Sequence, residues 1–244
     1  MPQTILVVDD EQSWRHLIQQ LLEAHGYRVE SASDGEEALA VALTNPPSLV
    51  LLDRLMPGMD GVELCRLLRR HERTQDVPIL MLTVRHDTAS KVGALEAGAD
   101  DYVTKPFRLR ELIARLHAVL RRTRAFENAG PSILTAGELE IDIPKRRLTR
   151  RGEEIHLSPT EFDLLVFLMK NAGAPLTHTK LLRSVWGPEY GSELEYLRSY
   201  IRMLRKKIER NPASPEYILT EPWVGYRFRN PSDPDSPPVP AEDE

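Results

Sequence analysis

The sequence predicts a two-part protein. An α/β domain with a doubly wound, five-stranded parallel sheet comes first, and a smaller domain of short antiparallel strands and helices follows. Three observations predict it. Residues 1–122 alternate five short apolar runs with five helical patterns, as β-α units do. Residues 123–132 lose that periodicity and carry Gly130 and Pro131, as a linker does. Residues 133–230 change to short alternating segments and helices of a different spacing. The last stretch, 231–244, is rich in Pro, Asp and Glu, cannot form a core and reads as a disordered tail.

In the first part, Ile5–Val8 is an apolar run ending in Asp9, Asp10 and Glu11. Leu17, Ile18, Leu21 and Leu22 then fall at helical spacing, with Gly26 as the stop. Arg28–Ala32 reads as a strand and Glu36–Leu43 as a helix. Leu49–Leu52 is unbroken and apolar, as in a strand buried on both faces. It ends on Asp53, followed by a loop with Pro57, Gly58 and Gly61. A helix follows from Val62 to about His71. Pro78–Val84 is the fourth strand, and 88–97 the fourth helix. Asp101–Thr104 is the fifth strand, and Leu109–Arg122 the fifth helix.

Composition bounds the function. The formal net charge is −5, unevenly placed: residues 1–120 hold 18 acids and 13 bases, residues 131–230 hold 13 and 16. An acidic front and a basic back suggest different partners. The single cysteine, Cys65, excludes an internal disulfide and a zinc motif; it lies among apolar residues, as a packed core thiol would. No apolar run approaches eighteen residues and no basic leader precedes the first strand. The expected location is the cytoplasm, with no membrane partner.

The strand ends carry the chemistry. In an open α/β sheet, ligands bind at the carboxyl edge. That edge collects Asp9 and Asp10, Asp53, Thr83, and Lys105 before Pro106. Three acids at one spot repel unless a cation joins them, and oxygen ligands select a hard ion such as Mg²⁺. A lysine and a hydroxyl beside it suit a phosphoryl group. Asp53 is then a carboxylate nucleophile that becomes an acyl phosphate.

VVDDE, LLDRLMPGMDG, MLT and AGADDYVTKPF resemble a response-regulator receiver of the flavodoxin/CheY-like fold, over roughly residues 3–122. The resemblance implies that Asp53 accepts phosphate from a sensor histidine kinase. Asp10 and Asp53 would ligate Mg²⁺, with Asp9 acting through water and the Leu55 carbonyl completing the set. Lys105 and Thr83 would hold phosphoryl oxygens, and Tyr102 would turn inward as Thr83 moves. Val84 departs from the smaller side chain usual there, which bears on phosphorylation and hydrolysis rates. Lys91, Asp100, Asp101, Glu111, Arg115 and Arg122 resemble the symmetric face through which OmpR/PhoB-type receivers form homodimers.

In the second part, Leu139–Ile143, Arg147–Thr149 and Glu154–Leu157 suggest a small antiparallel sheet. Ser158-Pro159-Thr160-Glu161 is a capping box with Pro at the first helical position, and the helix it starts is strongly apolar. Thr177 caps a second helix running to Trp186. In the third helix, roughly Glu193–Arg210, Leu197, Ile201, Leu204 and Ile208 form the buried stripe. The opposite face then shows Glu195, Ser199, Arg202, Met203, Lys206 and Arg210, flanked by Arg198 and Arg205. A basic outer face in a helix-turn-helix setting fits the major groove of double-stranded DNA. Tyr217–Thr220 and Gly225–Phe228 form a closing hairpin, or wing.

LSPTEFDLL, LLRSVWG, YLRSYIRMLRKKIE and VGYRF resemble the winged helix-turn-helix output domain of the OmpR/PhoB family. This implies binding to promoter direct repeats, and contact of the loop at 187–192 with RNA polymerase. Pro222 stands where family members often carry a wing arginine, so Arg227 or Arg229 is expected to substitute. Met203 stands where some relatives have a basic reader. VWGP and LTEPWVGYRF are similar to the potassium-responsive KdpE type. The whole predicts a phosphorylation-activated transcriptional regulator rather than an enzyme. A hydrolase using Asp53 would need a substrate cap and further acid/base groups, which the sequence lacks. The alternative is a DNA-binding regulator whose receiver is never phosphorylated.

Overall fold

The computed structural model describes residues 2–84, 93–191 and 193–233, without 126–131; side chains at 122–125 are also outside the description. The chain divides into two compact units, Met1–Thr123 and Arg124–Glu244.

The first unit holds β1 (Thr4–Val8), β2 (Arg28–Ala32), β3 (Leu49–Asp53), β4 (Ile79–Thr83) and β5 (Asp101–Thr104). They form one parallel sheet in the order β2-β1-β3-β4-β5. The reversal of strand order beside β1 opens a crevice at the carboxyl edge between β1 and β3. Helices α1 (Gln12–Ala24), α2 (Gly35–Thr44), α3 (Gly61–Arg70) and α5 (Leu109–Ala125) join the strands, and α4 is described over 93–96. The central strands β3 and β4 are buried at every position. Alternate residues therefore feed two cores. Leu6, Val50, Leu52 and Met81 pack with Leu64, Cys65 and Leu68 of α3 on one face. Ile5, Val7, Leu51 and Leu80 pack with Ile18 and Leu22 of α1 and Leu112 and Leu116 of α5 on the other. Asp34 and Asp60 cap α2 and α3, accepting the Glu37 and Glu63 N–H groups at 2.9 and 2.7 Å.

Some expectations shift. Leu17 is 41% exposed, because Ile18 and Leu22 already fill the buried stripe of α1. Helix α5 runs to Ala125, through the first residues read as linker.

The second unit opens with a four-stranded antiparallel sheet in the order β6-β7-β8-β9, formed by β6 (Ile133–Ala136), β7 (Leu139–Asp142), β8 (Arg147–Arg150) and β9 (Glu153–Ile155). Helix α6 (Pro159–Lys170) is buried along nearly its whole length. Its capping box is formed: the Ser158 N–H donates to Glu161 Oε2 at 2.7 Å, and the Glu161 N–H to Ser158 Oγ at 3.4 Å. β10 (Pro175–Thr177), α7 (His178–Val185) and α8 (Leu194–Ile208) follow, then the hairpin β11 (Ile218–Glu221) and β12 (Gly225–Phe228). β10 closes a three-stranded sheet by pairing with β12. A Cβ on Gly225 would lie 2.1 Å from the Leu176 carbonyl oxygen, so the hairpin base can approach β10 only with glycine there. Among the described residues, no helix is long and apolar enough to cross a membrane.

Candidate functional site

At the carboxyl edge of the first sheet, Lys105 is the hub. Its Nζ donates to Asp9 Oδ2 at 2.6 Å and to Asp53 Oδ2 at 2.7 Å. All three are nearly buried, with Asp9 wholly inaccessible. Burial opposes the ammonium, but the two carboxylates outweigh it and push the Lys105 pKa up. Burial also raises Asp9; Lys105 and the Glu11 N–H offset that only in part. The strands fix this geometry, since Asp9 and Asp53 stand at the ends of the buried runs of β1 and β3 and Lys105 directly follows β5. The loop after Asp53 is held as tightly. The Leu55 N–H donates to Asp53 Oδ1 at 3.3 Å. A Cβ on Gly61 would fall 2.1 Å from the Asp53 carbonyl oxygen.

Asp10 is exposed, and carboxylate oxygens of Asp9, Asp10 and Asp53 lie within 4.8 Å of one another. Three hard oxygen donors at that spacing, one facing water, fit a divalent cation of the Mg²⁺ type. Thr83 is buried at the end of β4. Tyr102 is half-buried against the α3-side core. Leu55 and Val84 are 49% and 46% exposed. Sequence reasoning missed three neighbours. The Trp14 ring lies 5.4 Å from Lys105 Nζ and 5.4 Å from the Phe107 ring, and Arg15 Nη1 donates to the Asp9 carbonyl at 2.6 Å. Their signal was position: Trp14 and Arg15 lie in the first turn of α1, directly after the acidic edge.

The residues expected at a dimer face separate. Asp100 is fully buried, accepting from Arg69 Nη2 at 2.6 Å and the Ile79 N–H at 2.9 Å, and so holds α3 to the sheet. Asp101 is also buried, with Arg115 3.3 Å away in the same unit. Arg115 pairs too with exposed Glu111 at 3.3 Å. Lys91 and the Arg122 side chain lie outside the described residues.

In the second unit, the stripe Leu197, Ile201, Leu204 and Ile208 of α8 is buried as expected. Tyr196 and Tyr200 join it, packing on Trp186 at ring distances of 5.2 and 5.1 Å. Arg198, Arg202 and Lys206 are exposed, and their i, i+4, i+8 spacing makes one basic stripe. Met203 is half-exposed. Two expected contact residues are hydrogen-bonded within the unit. Ser199 is 3% exposed, its hydroxyl donating to the Glu195 carbonyl, because its position borders the buried stripe. Arg205 donates to the Ile218 carbonyl at 2.6 Å and to Thr220 Oγ1 at 2.8 Å, tying α8 to the wing; burial lowers its pKa. Arg227 is likewise engaged, 2.6 Å from Glu221 across the hairpin. Glu209, unremarked in sequence, accepts the N–H groups of Glu216, Tyr217 and Ile218 at 2.8, 3.1 and 2.9 Å and fixes the chain leaving α8. In the loop after α7, Pro188 and Glu189 are exposed and Tyr190 is buried; Ser192 lies outside the described residues.

Residues 5–117 match the response regulator receiver domain, and residues 152–228 match the family described as transcriptional regulatory protein, C terminal. A DNA-binding response regulator MtrA of Mycolicibacterium smegmatis is 42% identical over 227 residues, covering 93% of this chain and 97% of the relative. The chain belongs to the OmpR/PhoB-type response regulators. A transcriptional regulatory protein KdpE of Mycobacterium tuberculosis is 40% identical over 224 residues, covering 92% and 98%. The two identities are too close to single out the KdpE type. A solved structure of a RitR mutant superposes with a TM-score of 0.78 at 29% identity, covering 93% of this chain and 99% of that one.

Proposed function

We propose that this response regulator takes a phosphoryl group on Asp53 from a sensor histidine kinase and, so modified, binds promoter DNA through α8. The observation that carries the first half is the Lys105 bridge between Asp9 and Asp53. A carboxylate oxygen of Asp53 attacks phosphorus, the phosphorus–nitrogen bond of the donor phosphohistidine breaks, and the imidazole leaves with a proton from solvent. Lys105 and the buried Thr83 hydroxyl are the donors that meet the oxygens of the transferred group. Asp9, Asp10 and Asp53 would hold Mg²⁺, which supplies charge neutralisation at those oxygens. Leu55 and Val84, exposed just past the ends of β3 and β4, are the side chains that limit entry of donors and water.

The new phosphate carries about −1.5 to −2 charges in place of the single carboxylate charge of Asp53, where Lys105 now joins two acids, and so shifts the balance between two states of the β4 and β5 ends. Exposed Glu111 and half-buried Arg115 of α5 are described parts of the face proposed to pair with a second copy. In the second unit, Arg198, Arg202 and Lys206 form the surface for the major groove, Arg reading guanine edges and Lys holding phosphate. The exposed loop at Pro188–Glu189 is the surface proposed for RNA polymerase.

The test is intact-mass analysis of the full-length protein after acetyl phosphate and Mg²⁺. One hydroxylamine-labile phosphate is expected on the wild type and none on Asp53→Asn. A stable phosphate, or one that persists in Asp53→Asn, would remove the reading.

A further inference from the structure

The tip of the β11–β12 hairpin carries a side chain that nothing among the described residues covers. Trp223 is 102% exposed and Val224 beside it 40%, so the indole gains no burial from folding. Its backbone is also unusual, with φ at 65°. The Val224 N–H closes a turn onto the Glu221 carbonyl at 3.1 Å. Pro222 and Trp223 are its two central residues, and a positive φ after proline is the pattern of a type II turn, which favours glycine at that place. A large aromatic in the left-handed region, fully in water, is disfavoured twice over. Such outliers cluster at functional sites.

The surroundings say what it meets. The hairpin is tied to α8 by Arg205 through Ile218 and Thr220, and by Glu209 through the N–H groups entering β11. Its tip is thus held in fixed relation to the exposed basic stripe Arg198–Arg202–Lys206. Arg227, the wing's candidate cation, is paired with Glu221, and Arg229 is half-buried. The tip therefore offers an apolar aromatic surface beside a cationic helix, which suits duplex DNA, with anionic edges and apolar sugar and base faces.

We infer that Trp223 is the wing's contact with DNA, packing its indole against the sugars and base steps of the minor groove in place of an arginine. Inserted apolar side chains are a known means of holding and bending that groove. The contact adds affinity without neutralising a phosphate. This inference rests on the DNA-binding reading above and goes beyond it in naming a contact of different chemistry.

The probe is a duplex selected from a random pool by the full-length protein treated with acetyl phosphate and Mg²⁺. Affinity is measured across a salt series for wild type, Trp223→Gly, Trp223→Phe and Lys206→Ala. Trp223→Gly should bind about tenfold more weakly, the scale of one lost aromatic stack, with an unchanged salt slope and a Tm equal to or above wild type. Trp223→Phe should retain most of the affinity. Lys206→Ala should lower the slope by about one. Tryptophan emission should change when duplex is added to the wild type and not when it is added to Trp223→Gly. Equal affinity of Trp223→Gly and wild type overturns the inference and leaves DNA binding standing. A Trp223→Gly variant that instead loses self-association assigns the indole to a second copy, and also overturns it. A wild type that selects no duplex removes both readings.

Discussion

Lys105→Met removes the ammonium shared by Asp9 and Asp53 while keeping an unbranched stem in the same space. The two acids are then left facing each other, Asp9 wholly buried and Asp53 6% exposed. Removing one partner from a buried ion pair costs about 3–5 kcal/mol. Asp10 opens the site to water on one side, which favours the lower end, about 3 kcal/mol. For a unit the size of the receiver, each kcal/mol moves Tm by roughly 4 °C, so its transition should fall by roughly 10 °C in EDTA. Magnesium should reverse most of the loss, because the same three carboxylates then hold a different cation. At a hundredfold excess over Kd, that binding is worth about 2.7 kcal/mol. Adding Asp53→Asn to Lys105→Met removes one of the opposed charges and should raise Tm in EDTA. The assay is scanning calorimetry of the full-length protein near neutral pH, with EDTA and with Mg²⁺. If Lys105→Met melts with the wild type in EDTA, or Mg²⁺ shifts both equally, the acids are not held together by Lys105 charge.

Other perturbations follow from the same geometry. Arg69 reaches the carbonyls of Gly98, Gln75 and Val77 as well as Asp100, so Arg69→Ala should destabilise the receiver by about 3–5 kcal/mol, read by urea unfolding; a change under 1 kcal/mol would mean water replaces the guanidinium freely. Burial pushes the Cys65 thiol up to about 12 from its ordinary 9.0. Because the folded value is the higher, its contribution to stability is complete below pH 9.0 and is lost as the pH rises toward 12. Iodoacetamide at about pH 8 should label Cys65 only after unfolding, and rapid native labelling would contradict that burial. Arg202→Ala should weaken specific DNA binding more than binding to random duplex, whereas Arg205→Ala should chiefly lower the Tm of the second unit; the reverse pattern would exchange their roles.

Much of the site was legible because strand ends are legible. A buried run such as Leu49–Leu52 must surface somewhere, and the polar residue at its end must lie at the sheet edge. Asp9, Asp53, Thr83 and Lys105 were located that way, and the structure brings three of them into direct contact. Helical periodicity found the buried stripe of α8 for the same reason. Periodicity gives a direction around the helix but not what covers its flanks. Ser199 and Arg205 lie at those flanks, and the return of β11 past α8 captures Arg205. The burial of Asp100 was not legible, because its partner Arg69 lies far away in sequence. Trp223 was quoted within a motif, yet its meaning depends on exposure and on a positive φ, which a sequence does not display.

Coupling between the two units is tested most directly by measuring one affinity in two phosphorylation states. Wild type and Asp53→Asn, each with and without acetyl phosphate and Mg²⁺, are titrated onto the selected duplex at fixed salt. A coupling of about 1–3 kcal/mol corresponds to roughly 5–150-fold. Wild type should tighten by at least about fivefold on phosphorylation, and Asp53→Asn should not change. A wild type shown by mass to carry the phosphate, yet binding no more tightly, would contradict the switch, as would an equal gain by Asp53→Asn.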